Sequence, residues 1–157
     1  EVLAEIVAED GCTFQPPASL YQDFTVRCRM HRIAGHGIDL AMFRRRFAMA
    51  LAGIMRDDVP AFADLLHLAR KVPDDVLAPF LVIARAAIDG EPCPDDEALA
   101  RVYGTRSPGR IRRLLDHLDK SVLIVVRTAF GGRRSLGIPD LDLSPAAVCV
   151  AGLTLAQ

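Results

Sequence analysis

The sequence predicts a mainly α-helical fold carrying a small β-hairpin, and three observations point there. Apolar residues recur every three or four positions from Leu40 to Ile88 and again from Ile111 to Leu118. Asp, Ser and Pro punctuate those stretches at helix-start positions. One β-branched run, Val122–Val126, is followed by Gly131-Gly132 and a second strand-like run, Arg133–Ile138. At 157 residues and 51% hydrophobic content, the chain can bury an apolar centre, which excludes disorder as its main state. Its most apolar stretch, Leu77 to Ile88, is short and interrupted by Arg85, so no membrane span and no membrane partner are expected.

Residues 1–38 form an N-terminal arm: Leu3, Ile6 and Val7 suggest a short helix, and the Pro16-Pro17 pair and the glycines around His36 suggest mostly loop after it. Residues 39–90 read as three helices and a candidate dimerisation surface. Asp39 caps the first, whose Leu40, Phe43, Phe47, Leu51 and Ile54 make one stripe over 39–56. Asp57-Asp58 ends it and starts a second over 58–71, with Pro60 in the first turn and Phe62, Leu65, Leu66 and Ala69 inward. The third, 75–89, turns Leu77, Phe80, Leu81, Ala84 and Ile88 inward and stops at Gly90, with Pro79 delaying its regular ladder.

Residues 91–140 form the module of most interest. After Pro92-Cys93-Pro94, Asp95 caps a short helix that ends at Tyr103-Gly104. Ser107 caps and Pro108 opens a second helix to about Asp119, and the hairpin follows, closed by Pro139. The tail, 141–157, reads as a helix started at Ser144-Pro145, although Val148, Val150, Leu153 and Leu155 also suit a strand.

Two helices joined by a Gly-containing turn and followed at once by a hairpin make the winged helix-turn-helix pattern, here with additional flanking helices. Charge supports that order. The net charge of -1 conceals segregation: Arg101 to Arg134 holds nine basic residues against two acids, whereas Phe47 to Ala100 holds ten acids against four bases. The basic segment calls for an anionic partner. At 100° per residue, Ile111, Leu114, Leu115 and Leu118 share one arc of the second helix; Gly109, Arg113 and Asp116 lie opposite, flanked by Arg110, Arg112 and His117. Arginine reaches phosphates or the guanine O6 and N7, so Arg110, Arg112 and Arg113 are the base-reading candidates. Arg106, Ser107, Gly109 and His117 complete that surface, and Arg127, Arg133 and Arg134 of the hairpin offer phosphate or minor-groove contacts.

The stretch Ser107-Pro108-Gly109-Arg110-Ile111-Arg112-Arg113-Leu114-Leu115-Asp116-His117-Leu118, followed by Leu123-Ile124, resembles the recognition helix and first wing strand of MarR-like winged-helix transcription regulators. The resemblance covers about 45 residues, Asp95 to Pro139. It implies a bacterial, cytoplasmic, homodimeric transcription regulator that binds double-stranded DNA and sometimes a small-molecule effector.

No enzyme is expected: the sequence has no Gly-rich phosphate loop after a strand, no GxSxG and no HExxH, and its Asp pairs fall at helix starts. No cofactor is implied. Cys28, His31 and His36 are zinc-type ligands without a matching second half, so no metal site is expected, although a metal- or ligand-sensing regulator is an alternative. A second is a winged helix that binds protein and not DNA. Arg27, Arg29, Arg32 and Arg44-Arg45-Arg46 form a further basic cluster, read as a solvated surface or as salt bridges to the acidic middle.

Overall fold

The computed structural model describes residues 1–34, 37–55, 60–128, 134–141 and 149–151. It is mainly helical, with seven α-helices among those residues and a small antiparallel sheet in the order β1-β2-β3. The helices are α1 Val2–Val7, α2 Pro17–Met30, α3 Leu40–Leu51, α4 Ala63–Ala69, α5 Asp74–Asp89, α6 Asp96–Tyr103 and α7 Pro108–Lys120; the strands are β1 Val125–Thr128, β2 Arg134–Gly137 and β3 Cys149–Ala151. None of these helices is long and apolar enough to cross a membrane.

The N-terminal arm differs most from expectation. Instead of loop, Pro17–Met30 is a helix, because Pro17 occupies the first helical turn, where its missing N–H leaves no bond unmade. Leu20, Phe24 and Cys28, four residues apart, bury one narrow stripe. With Val2, Ile6, Cys12 and Phe43 they form a separate small core. Phe43 sits at its centre, 5.2 Å from the Phe24 ring and 5.6 Å from Tyr21.

The main core is built around α5. Phe80, Leu81, Ile83 and Ala84 are fully buried there, and α3, α4, α6, α7 and the sheet cover them. Pro79 lies inside the helix and does not delay it: α5 is regular from Asp74, since only the carbonyl one turn earlier, on exposed Asp75, loses a donor. Ile88, expected inward, is 38% exposed at the far end.

Element ends differ for identifiable reasons. Asp39 caps α3 as expected, accepting from the Met42 N–H at 2.7 Å. The helix stops at Leu51 and not near 56, because Gly53 turns left-handed and Arg85 of α5 donates to the Ala52 carbonyl at 2.8 Å, satisfying the helix end. The second helix begins at Ala63, later than the expected 58, with Phe62 turned inward at its N-cap; Asp57 and Asp58 lie outside the described residues. Val122, expected to open the first strand, instead ends α7 in the left-handed region at φ 58° and is 63% exposed, so β1 starts at Val125. In the tail the strand alternative holds over 149–151, where backbone pairing with β2 (Leu136 opposite Cys149, Arg134 opposite Ala151) turns the hairpin into three strands. Ser144 and Pro145 lie outside the described residues.

Candidate nucleic-acid interface

The basic surface begins at the α6–α7 connection. Asp95 accepts from the Ala98 N–H at 2.7 Å and so starts α6, while fully buried Leu99 holds that helix to α5. Gly104 ends it with φ 74°, and a Cβ there would lie 2.2 Å from the carbonyl oxygen of Thr13. The glycine is thus needed twice, for its conformation and for the close approach of the short 3-10 segment Cys12–Phe14. That segment also reaches the connection through its side chains: the Thr13 hydroxyl donates to the Arg101 carbonyl, and the Arg106 guanidinium lies 5.2 Å from the centre of the Phe14 ring.

Ser107 occupies the N-cap of α7, but its hydroxyl makes no capping bond. Thr105, only 7% exposed, acts at this turn: its hydroxyl accepts from the Ser107 N–H at 3.1 Å, fixing the backbone one step earlier. From there α7 divides as the periodicity predicts. Ile111, Leu114, Leu115 and Leu118 are buried, and Gly109, Arg110, Arg112, Arg113, Asp116 and His117 are exposed, as are Arg106 and Ser107 before them.

The exposed face has two unlike flanks. Arg112 lies in line with Asp119, whose carboxylate accepts from the Val126 N–H of β1 at 3.0 Å; this flank faces the hairpin. Arg110 lies in line with His117 on the other flank, and with Arg113 they border a cleft of about 330 Å³ whose opposite side carries Asp75 of α5. A second cleft of about 340 Å³ runs between the two cores, with Phe43, Phe47, Tyr103 and Arg110 among its lining.

Among the described residues some cations are ion-paired, whereas others, Arg29, Arg44 and Arg46 included, are not. Arg27 pairs with Glu9 and Asp23, Arg45 with Asp74 at 2.7 Å, Arg85 with Asp89 at 3.2 Å and Arg101 with Glu97 at 3.5 Å. Hydrogen bonds that the Arg27 guanidinium donates to carboxylates, foremost to Asp23, hold it still further toward its charged form. The link from the second basic cluster to the acidic middle is therefore real at Arg45. Arg106, Arg110, Arg112, Arg113 and Arg127 form no ion pair among the described residues.

Arg134 departs from its expected place at the hairpin surface. It folds back onto Asp96 of α6 at 2.6 Å, its side chain is only 19% exposed, and its Nε is buried without a hydrogen-bond partner. It therefore fastens β2 to α6. Arg127 is exposed on β1, and Arg133 with the Gly131-Gly132 tip lies outside the described residues.

The zinc-type ligands fall in different surroundings where they are described. Cys28 is buried in the small core, where desolvation raises its thiol pKa, His31 approaches Glu5 at 3.4 Å, and His36 lies outside the described residues. Glu1, Glu5 and His31 come together instead, a grouping across two helices that linear spacing does not reveal. Comparison of the chain with protein-family models, with curated proteins and with solved structures finds no match.

Proposed function

We propose that the chain is a DNA-binding transcription regulator whose α6–α7–β1–β2 unit is a winged helix-turn-helix, with α7 entering the major groove and β1 and β2 forming the wing. The observation that carries this reading is the set of arginines on α7. Arg110, Arg112 and Arg113 lie within four residues, exposed and without ion pairs among the described residues, on a helix whose other face is locked into the main core. Three exposed guanidiniums within one turn of a fixed helix, with no carboxylate paired to them among the described residues, make a local concentration of positive charge that favours an anionic partner. A rigid helix of 13 residues spans about 20 Å at 1.5 Å per residue, enough to lie along several base pairs.

The regulator acts as a homodimer, whose two recognition helices would sit about 34 Å apart on a pseudo-palindromic site. The cleft between the two cores, which Arg110 borders, offers room for a small-molecule effector. Fluorescence anisotropy with a labelled random-sequence duplex over a salt series tests the reading. With four or five phosphates contacted, log affinity falls against log salt with a slope of about -4. The Arg112→Ala, Arg113→Ala double variant binds more weakly at every salt concentration. Equal inertness of both proteins at low salt overturns the DNA reading and favours a protein-binding winged helix.

A further inference from the structure

We infer that the cleft between α5 and α7 seats one phosphate of the DNA backbone, and that Asp75 on its α5 side weakens that contact. The inference rests on the DNA reading and adds α5 to the binding surface. An α-helix with its side chains is about 10–12 Å across and nearly fills the major groove, so its two flanks face the two phosphate ridges. On α7 the hairpin covers one flank, through the Asp119–Val126 bond. The other flank opens into the cleft.

The chemistry of the lining suits a phosphodiester. Arg110, Arg113 and His117 border it from α7, Tyr103 from α6 and Asp75 from α5. The two guanidiniums form no ion pair and the Tyr103 hydroxyl makes no hydrogen bond among the described residues, so donors for an anion are free. At about 330 Å³ the space holds a phosphate group with its water. Among the described lining residues Asp75 carries the one carboxylate, and its neighbour Asp74 is already engaged by Arg45. Asp75 stays exposed, without an ion pair among the described residues, where it faces any anion that enters. It holds affinity for the backbone below what the arginines alone would give.

The test is anisotropy with the same labelled random-sequence duplex on the full chain. Asp75→Asn keeps a polar side chain in the first turn of α5 and removes the charge; it is expected to tighten binding about two- to fivefold at low salt, less at high salt. Arg110→Ala is expected to weaken binding and make the salt slope shallower by about one. If both leave affinity and slope at wild-type values while Arg112→Ala weakens binding, the cleft is not a phosphate seat and the DNA reading stands without it. Weaker binding by a folded Asp75→Asn protein overturns the inference too, since the carboxylate would then be positioning Arg110. If the wild type binds no duplex at the lowest salt, both fall.

Discussion

Gly104→Ala separates two physical costs that meet at one atom. Any L residue at φ 74° pays about 1–2 kcal/mol for the left-handed conformation. The new Cβ would also lie 2.2 Å from the Thr13 carbonyl oxygen, well inside van der Waals contact, and the obstacle is backbone that cannot rotate away. Displacing it adds about 1–3 kcal/mol, the usual range for overpacking. Gly90 supplies the control: it ends α5 at φ 67° with nothing within 4 Å of a built Cβ, so Gly90→Ala pays the conformational cost alone. Urea denaturation followed by circular dichroism should place Gly104→Ala about 2–5 kcal/mol below wild type and Gly90→Ala about 1–2 kcal/mol below. Since the 3-10 segment braces the connection that leads into α7, Gly104→Ala should also weaken duplex binding and Gly90→Ala should not. Equal destabilisation by the two substitutions would refute the close packing of Thr13 on the turn.

Val122→Gly should raise stability by about 0.5–1 kcal/mol, or about 1–4 °C in Tm by differential scanning calorimetry, because an exposed β-branched residue leaves φ 58° at little loss of burial. Asp96→Ala should cost about 1–2 kcal/mol in urea titration by stranding the largely buried Arg134, and adding Arg134→Met should recover much of it. Asp95→Ala, which removes the side-chain cap from α6, should cost about 1 kcal/mol in the same titration. Burial pushes the Cys12 and Cys28 thiols up, leaving little thiolate at neutral pH; peptide mapping after mild alkylation should find both largely unlabelled in the folded protein and labelled in denaturant.

Much of the fold is legible in local chemistry. Asp39 and Asp95 mark their helix starts because a carboxylate two or three residues before a free N–H is a strong local signal, and α7 shows its two faces because four large aliphatics share one arc. α2 is hidden because its buried stripe is narrow and its first residue is proline, which marks a turn as readily as a helix start. At the tail the apolar pattern leaves helix and strand both open, and it is pairing with β2 that selects the strand over 149–151. The exposed arginines of α7 could be placed from periodicity alone. The pairing of Arg134 with Asp96 could not, since the two are 38 residues apart and only the packing of β2 beside α6 joins them. The brace from Thr13 and Phe14 to the α6–α7 turn, and the exposed Asp75 across the cleft from Arg110, are likewise products of tertiary packing.

Recognition through α7 is tested by comparing two charge-matched double variants by anisotropy with one labelled duplex at one low salt concentration. Arg112→Ala with Arg113→Ala empties part of the exposed face of α7, and Arg29→Ala with Arg46→Ala removes two exposed arginines that form no ion pair among the described residues but lie on α2 and α3. A loss of about tenfold or more is expected for the α7 pair, since each lost phosphate or base contact is worth about 1 kcal/mol or more, and a change within about twofold for the other. Equal losses would show that any cationic surface of this chain serves, and that α7 does not carry recognition.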